Sequence, residues 1–331
     1  MNERIVAMVL LNTLTPPDTL LLYETLLSRK FLSPTEHQHY EQLHKGFIGE
    51  KNFKKNLSSY DSQNFKSLFG CLFEVDNMEF QIDCILLTTD TVYLLEVKNY
   101  TGDYYIEDNK IFNLQSKTQI YNPLSQIDRA ELLFKRLLNE IQVNIDVRSY
   151  VVFVNPDFMM YGANVHFPMI YPTQIKRFLK KITSNNSPLT ENIRHLSGIL
   201  AGRRKLKSAH ERIPSYEISQ LKRGVFCKRC FAEIRRVNQY KLVCNECQKK
   251  YQVSEIILFS IAQYCLLFPK KRITTNNIAN WCGNIFSKSV IRRVLTCYFR
   301  IHPNGSHTHY SFLNKTSHLG ILLKDSDWMG I

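Results

Sequence analysis

The sequence predicts an α/β protein in which a mixed sheet is flanked by helices and is followed by a ribbon and a small α+β module. Three observations predict this class. Short β-type runs and amphipathic helical segments follow one another through roughly the first 200 residues. A basic, weakly patterned stretch and two C-x-x-C pairs come next. A last segment is apolar enough to form a packed core.

A long helix is expected first. Ser33 suits the N-cap, Pro34 suits the first helical position, and Glu36 completes a capping box. The apolar pattern extends this helix to about Leu57. It carries the pair Gly49-Glu50 close to its end.

Strands follow the helix. Polar breaks at Asp76-Asn77 and Thr89-Asp90 separate three β-type runs. The runs span Leu68–Val75, Glu79–Thr88 and Thr91–Asn99. A hairpin is expected over Asp103–Leu114, with its turn at Asp108-Asn109.

One more strand and three helices complete this region. Asn122-Pro123 opens an amphipathic helix, and Val147–Val154 has the composition of a buried strand. Further helices are expected over Thr173–Ile182 and Glu191–Leu200, with a polar loop over Thr183–Pro188. The expected domains are a helical extension (1–45), an α/β domain (46–202), a basic linker (203–223), a ribbon (224–252) and a C-terminal module (253–331).

The composition points to a polyanionic partner. Apolar residues make up 44% of the 331 residues, which is typical of a globular chain. Lys and Arg total 43 against 29 acids, so the net charge is +14. That excess favours nucleic acid first and an acidic membrane surface second, although a soluble protein can be basic without either partner.

Cysteine usage and apolar runs indicate the compartment. Four of the nine Cys lie in the C-x-x-C pairs and five are scattered, which favours a reducing environment and a metal site over disulfides. The apolar run in Met1–Leu14 is not followed by a small-residue cleavage site, and no run reaches about 18 residues. We therefore expect a cytoplasmic protein without a membrane partner.

The strongest chemical pattern lies on the second and third β-type runs. Side chains alternate along a strand, so Glu96 and Lys98 share one face while Leu95 and Val97 point to the other. A turn that pairs Thr88 with Thr91 places Asp83 opposite Glu96 and Gln81 opposite Lys98. Two facing carboxylates repel each other unless a cation lies between them, and Mg²⁺ or Mn²⁺ is the natural candidate.

The neighbouring polar residues can then be given roles. Lys98 can orient an attacking water or stabilise charge on a phosphate, and Glu50 can add a carboxylate. Gln126, one turn into its helix, can hydrogen-bond near Lys98. Taken alone, D…E-x-K is short enough to arise often by chance, and a structural Glu–Lys pair on a solvated strand face is then the favoured explanation.

A family resemblance favours the catalytic interpretation. The ordered motifs are Gly49-Glu50, Gln81-Ile82-Asp83, Glu96-Val97-Lys98-Asn99-Tyr100 with Gly102, and Asn122-Pro123 with Gln126. Together they resemble the NERD (nuclease-related) domain of the PD-(D/E)xK phosphodiesterase superfamily, over roughly Gly46 to Arg136. The resemblance implies a restriction-endonuclease-like fold, with catalytic roles on Asp83, Glu96 and Lys98 and support from Glu50 and Gln126. Two positions depart from the pattern: Ile82 stands for the usual Pro, and Cys84 for a frequent His.

The cysteine pairs predict a structural zinc ribbon. Cys227, Cys230, Cys244 and Cys247 form two C-x-x-C knuckles separated by a β-rich stretch, which suits a tetrahedral four-sulfur Zn²⁺ site. An iron–sulfur site or a redox dithiol are the alternatives. The ribbon residues expected to contact phosphate are Lys228, Arg229, Arg235 and Arg236, joined by Lys249 and Lys250.

The last segment resembles a winged helix-turn-helix in the order of its elements. Ile273–Leu295 predicts two helices joined at Gly283-Asn284, and a hairpin is expected over Tyr298–Phe312 with its turn at Asn304-Gly305. Packing of these elements on the α/β domain is an equal alternative. The residues of this segment that are expected to contact nucleic acid are Lys288, Arg292 and Arg293, on the second predicted helix. The hairpin histidines, His302, His307 and His309, are expected to be surface residues.

The sequence therefore favours a divalent-metal-dependent nuclease that hydrolyses phosphodiester bonds in nucleic acid, DNA in the first place. An inactive nucleic-acid-binding protein with a nuclease-like core is the first alternative. A protein-interaction or regulatory factor is the second. The oligomeric state is open, although a homodimer would suit the cutting of both strands.

Overall fold

The computed structural model describes residues 14–60, 63–183, 188–205, 207–208, 213–305 and 308–313. These residues form two compact units. The first unit contains residues 14–15 and 42–208, and the second contains residues 16–41 and 213–313. Each unit is described by itself.

Two helices open the described chain, α1 (Asp18–Leu27) and α2 (Pro34–Leu57). The predicted capping box begins α2. The Ser33 amide donates to Glu36 Oε2 at 2.8 Å, and the Glu36 amide donates to Ser33 Oγ at 3.3 Å. Two otherwise unpaired amides at the helix start are thereby satisfied.

The first unit follows the predicted order of elements. Its strands are β1 (Lys66–Val75), β2 (Met78–Leu87), β3 (Thr91–Lys98), β4 (Gly102–Glu107), β5 (Lys110–Asn113), β6 (Gln119–Ile120), β7 (Asp146–Phe153), β8 (Phe158–Tyr161) and β9 (Met169–Ile170). Its later helices are α3 (Pro123–Glu140), α4 (Ile175–Thr183) and α5 (Glu191–Arg203). Asp108 and Asn109 form the predicted hairpin turn, with φ of 48° and 59°.

A five-stranded mixed sheet forms the centre of this unit, in the order β1-β2-β3-β7-β9. The first three strands are antiparallel, and β7 runs parallel to β3. Helices cover both faces: Phe134 of α3 packs in the core of one face, and Phe53 of α2 packs in the core of the other. This arrangement confirms the predicted mixed α/β class.

The second unit combines α1, the cysteine ribbon and the C-terminal helices. Its later elements are β10 (Ile234–Arg236), β11 (Lys241–Cys244), β12 (Lys250–Gln252), α6 (Val253–Leu267), α7 (Thr275–Trp281), α8 (Lys288–Tyr298), β13 (Phe299–His302) and β14 (His309–Phe312). An isolated bridge joins Ile273 to Tyr310, which places a third short strand segment beside the hairpin. This is the element order of a winged helix.

One hydrophobic core joins all the parts of the second unit. It contains Leu26 of α1, Leu242 of the ribbon, and Ile257 and Ile291 of the later helices. The ribbon and the module after it share buried apolar area, and residues 16–41 pack with them.

Some expectations lie outside the described residues: most of the extension before residue 14, most of the loop expected over Thr183–Pro188, part of the basic linker, His307, and the chain after residue 313. Among the helices that the structure describes, none is both long and apolar enough to cross a membrane.

Candidate active site

The hairpin of β2 and β3 has the predicted register. Its ladder pairs Leu87 with Val92 and ends at the pair Cys84–Leu95, so Asp83 and Glu96 come next on the two strands. Beyond that last pair the side chain of Asp83 accepts a hydrogen bond from the Val97 amide, at 2.8 Å. Gln81 and Lys98 lie outside the ladder, so the expected pairing of these two residues is not formed.

Asp83 lies at a local break between β1 and β2. The ladder pairs Phe69 with Cys84 and Cys71 with Ile82, and Gly70 and Asp83 form no pair between them. Gly70 has a φ of 55°, in the left-handed region that glycine adopts without a steric cost. The left-handed backbone at Gly70 thus lies opposite Asp83, whose carboxylate accepts a hydrogen bond from the Val97 amide of β3.

Glu96 and Lys98 lie on one face of β3, as the alternation predicted. Lys98 Nζ donates to Glu96 Oε1 at 2.6 Å and to Gln126 Oε1 at 3.0 Å. The side chain of Glu96 is only 2% exposed and that of Lys98 is 18% exposed. Glu96 Oε2 is buried and has no hydrogen-bond partner in the described structure, which is costly for a charged oxygen.

Helix α3 brings Gln126 to this lysine. Asn122 caps the helix by accepting from the Leu124 amide at 3.0 Å, and Pro123 occupies the first turn. Gln126 follows one turn after the cap, at the sheet edge where β3 ends. The Asn-Pro…Gln spacing therefore positions a side-chain carbonyl on Lys98.

Gly49 lets helix α2 approach the end of β3. A Cβ added at Gly49 would lie 2.7 Å from Asn99 Cβ, closer than such atoms approach. Asn99 Nδ2 also donates to the Lys45 carbonyl of α2 at 2.8 Å, and Asn155 Nδ2 donates to Asn99 Oδ1 at 3.2 Å. Sequence reasoning assigned no role to Asn99 or Asn155, although Asn99 is part of a matched motif.

Burial raises the pKa of all three acids, and the charge of Asp83 adds to the effect on Glu50 and Glu96. Burial raises the pKa of Glu50 well above its ordinary value, and repulsion from Asp83 and Glu96 adds to the effect. Burial and the charge of Asp83 raise the pKa of Glu96 to about 8. Burial also raises the pKa of Asp83 against the attraction of Lys98. A bound cation would reverse these shifts, because it favours the charged forms.

The donor set fits a hard divalent cation. It offers carboxylate oxygens, one of them buried without a partner, and Mg²⁺ and Mn²⁺ prefer oxygen ligands. In the described part of the chain, the four ribbon cysteines are the one group of three or more His, Cys, Asp or Glu close enough to hold a metal by themselves. The acids therefore do not form a closed cage, which suits an ion that keeps waters and takes substrate phosphate as a ligand.

The two departures from the family pattern are buried core residues. Ile82 and Cys84 are fully buried on opposite faces of the sheet. Burial raises the pKa of the Cys84 thiol well above its ordinary value, so this group stays protonated.

The ribbon cysteines converge as their spacing predicted. The Sγ atoms of Cys227 and Cys247 are 3.5 Å apart, and those of Cys230 and Cys244 are 3.4 Å apart. All four sulfurs lie within 4.8 Å of one another. The Arg229 amide donates to Cys227 Sγ at 3.3 Å, as in a metal-binding knuckle. The cluster could hold a zinc ion and is compatible with a zinc ribbon.

One expected phosphate contact is placed elsewhere by the structure. Lys228 is buried, pairs with Glu255 at 2.9 Å, and lies over the Phe259 ring, so it does not face solvent. The other basic residues expected to contact phosphate are exposed: Arg229, Arg235, Arg236, Lys249, Lys250, Lys288, Arg292 and Arg293.

On the C-terminal hairpin, the rings of His302 and His309 stack with their centres 4.8 Å apart, and both residues are half-buried.

A family model covers the segment that contains these residues. The family model described as nuclease-related domain, NERD, matches residues 45–154, about a third of the chain. The match contains Glu50, Asp83, Glu96, Lys98 and Gln126. Neither a curated protein nor a solved structure matches the chain significantly.

Proposed function

We propose that this chain, whose residues 45–154 form a nuclease-related domain, is a divalent-metal-dependent nuclease that hydrolyses phosphodiester bonds in DNA. One observation carries the proposal. Glu96 is buried with one oxygen on Lys98 and the other without a partner, and burial together with the charge of Asp83 raises its pKa. A purely structural ion pair would not need a second, unpaired buried oxygen.

Each residue of the site has a distinct role in this proposal. Asp83 and Glu96 are the metal ligands, and Glu50 adds negative charge from helix α2. Asp83 has one oxygen fixed by the Val97 amide, so the other oxygen remains for the ion. A bound Mg²⁺ or Mn²⁺ supplies Lewis-acid polarisation of the phosphate and a more acidic water.

Lys98 acts on the substrate side of the reaction. Its ammonium is held at 2.6 Å by Glu96 and at 3.0 Å by Gln126, so its position is set before substrate binds. A positioned cation in a half-buried site stabilises charge that develops on the phosphate or orients the attacking water. Gln126 is a positioning residue in this scheme, because it acts through Lys98.

We further propose that the four cysteines bind one structural Zn²⁺ and that the basic second unit binds nucleic acid. Four thiolates close a tetrahedral site and leave no position for substrate. The exposed cations of the ribbon and of α8, together with the winged-helix order, support nucleic-acid binding. The proposed location is the cytoplasm.

A cleavage assay tests the catalytic proposal. Purified chain should cut plasmid or linear DNA with Mg²⁺, and EDTA should stop it. Glu96→Ala should abolish cutting, whereas Lys98→Ala should keep metal binding and lose about 10²–10³-fold in rate. Glu107→Ala, which removes an exposed carboxylate of the same unit, is the matched control and should cut normally.

The same assay separates the alternatives. DNA binding without cleavage under any divalent metal would identify the inactive nucleic-acid-binding protein. Neither cleavage nor salt-sensitive DNA binding would favour the interaction factor. Equal cutting by Glu96→Ala and the parent protein would overturn the assignment of the site.

A further inference from the structure

One face of the ribbon sheet is basic and the other is buried. Arg235 and Lys250 both pair with Val243, and Lys241 pairs with Gln252. Directly paired residues share a face, and so do residues two apart on a strand, so these side chains point the same way. The opposite face contributes Ile234, Leu242 and Tyr251 to the core of the second unit.

This basic face leads into a groove at helix α8. A cavity of about 270 Å³ is lined by the ribbon turn, the end of β12 and one side of α8. Gln252 belongs to both the basic face and the cavity wall, which makes the two continuous. The helix side contributes Val290, Arg293, Cys297 and Tyr298.

Two exposed tyrosines line the groove. Tyr240 is 60% exposed on the ribbon turn, and Tyr298 is 49% exposed at the end of α8. The turn that presents Tyr240 is held in shape by Asn238, whose Oδ1 accepts from the Tyr240 and Lys241 amides at 2.9 Å each. A large aromatic ring left half in solvent on a held turn is a surface for stacking.

Four exposed cations lie on the basic face and at the groove. Arg235, Lys241, Lys250 and Arg293 are exposed, and the described residues provide no ion pair for any of them. Cations interleaved with exposed aromatic rings are the pattern by which proteins bind single strands, with phosphates on the cations and bases on the rings. A base-paired duplex does not offer its base faces to such rings.

We propose that the groove between Tyr240 and Tyr298 holds an unpaired base of single-stranded DNA, whose phosphates lie along Arg235, Lys241, Lys250 and Arg293. The inference rests on the proposed function for the choice of DNA as the polymer. It adds that the second unit prefers unpaired strand over duplex.

Binding without cleavage tests this proposal. Full-length zinc-loaded chain carrying Glu96→Gln is titrated, without added Mg²⁺ or Mn²⁺, with a labelled thymidine oligonucleotide. An abasic oligonucleotide of equal length, a duplex and the matching RNA form the other arms. The thymidine strand should bind more tightly than the abasic strand and the duplex. Tyr240→Ala and Tyr298→Ala should each weaken thymidine-strand binding about tenfold and leave abasic binding unchanged.

The controls separate stacking from charge and from folding. Phe31→Ala removes an exposed ring of the same unit that lies outside the groove, and it should change nothing. Arg235→Gln should weaken thymidine and abasic strands equally and reduce the salt dependence of both. Thermal melting and zinc content check that each variant folds.

Two results would overturn the proposal. One is unchanged thymidine-strand affinity in both folded tyrosine variants. The other is duplex binding as tight as single-strand binding in the parent. Tighter RNA than DNA binding in the parent would keep the stacking groove and reject DNA as its ligand. Because cleavage is blocked throughout, a failed nuclease assay leaves these outcomes interpretable, and failure here leaves the catalytic proposal standing.

Discussion

The Asp83 carboxylate accepts the Val97 amide at 2.8 Å, one step beyond the last backbone pair of β2 and β3. A side chain thus replaces a strand carbonyl as the partner of a β3 amide. The same carboxylate raises the pKa of Glu50 and of Glu96. Asp83 therefore has a structural contact and a proposed metal-binding role that substitution can separate.

Asp83→Asn should keep the fold and lose the activity. The amide oxygen of Asn can still accept from Val97, but a neutral group does not replace a carboxylate ligand. Asp83→Ala loses both the acceptor oxygen and the metal ligand. It leaves the Val97 amide unpaired, which costs about 1–3 kcal/mol of folding stability. Relief of carboxylate repulsion offsets part of this cost. Urea unfolding and Mg²⁺ calorimetry measure the two effects, and strong Mg²⁺ binding by Asp83→Asn would remove Asp83 from the ligands.

The stability of the protein without Mg²⁺ should fall as pH rises from about 4.5 to about 8. Glu96 has an ordinary pKa of 4.5, raised to about 8 in the folded protein, chiefly by burial. The folded state therefore holds a proton that the unfolded state has released, and the stabilisation present below pH 4.5 is lost as pH rises through the folded pKa. The raised pKa values of Glu50 and Asp83 act in the same direction.

Thermal melts of zinc-loaded protein without added Mg²⁺, from pH 5 to pH 8, measure this dependence, with Glu96→Gln as the reference. The variant should show a shallower decrease of melting temperature with pH, because one of the titrating groups is gone. Identical slopes would mean that Glu96 is ionised throughout this range. Mg²⁺ affinity should rise over the same range, since the metal binds the deprotonated carboxylates.

Gly49→Ala should lower activity through helix position rather than chemistry. The added Cβ would lie 2.7 Å from Asn99 Cβ, so α2 must move away from the end of β3 and carry Glu50 with it. We expect at least tenfold slower cleavage, because small misplacements at a catalytic site are costly. Gly46→Ala on the same helix is the control, since nothing lies within 4 Å of its added Cβ. That change should preserve activity and stabilise the helix by up to about 1 kcal/mol. Equal activity of the two variants would contradict the close-approach argument.

Arg29→Met should destabilise the second unit by about 2–4 kcal/mol. The fully buried guanidinium lies 3.7 Å from the Trp281 ring centre and donates to the Lys222 carbonyl and Gln263 Oε1 at 2.9 Å each. Loss of these donors leaves buried acceptors unsatisfied. Chemical denaturation measures the effect.

Arg29→Lys should recover little of that stability, because an ammonium cannot match the planar fork or the ring stacking. Arg194→Ala, which removes a side chain that is 60% exposed, should stay within about 0.5 kcal/mol of the parent. A near-neutral Arg29→Met would show that the buried contacts contribute little net stability.

The purified protein should contain about one Zn²⁺ per chain. Cys244→Ser should remove it and unfold the ribbon, because Cys244 lies in the shared core of the second unit as well as in the cluster. Elemental analysis and circular dichroism check this expectation. Cys265→Ser, outside the cluster, should keep its zinc. If the purified protein is folded and free of zinc while all four cysteines are reduced, the proposal of a structural zinc site is wrong.

Local order was predictable because its causes lie within a few residues. Ser33 and Glu36 cap their helix from adjacent positions, and Asp108 and Asn109 turn their hairpin. Strand alternation put Glu96 and Lys98 on one face, and the turn before Thr91 set the register that brings Asp83 beside them. The C-x-x-C spacing likewise brought four sulfurs together.

The tertiary structure decided what depends on residues distant in sequence. Lys228 looked like a surface cation, but Glu255 and Phe259 bury it. Arg29 has no local pattern that marks it, and its partners lie about 200 residues away. Side-chain periodicity records which face of an element is buried, whereas it does not record which element covers that face. The close approach of Gly49 to Asn99, and the groove lined by both Tyr240 and Tyr298, therefore arise only when distant segments of the chain pack together.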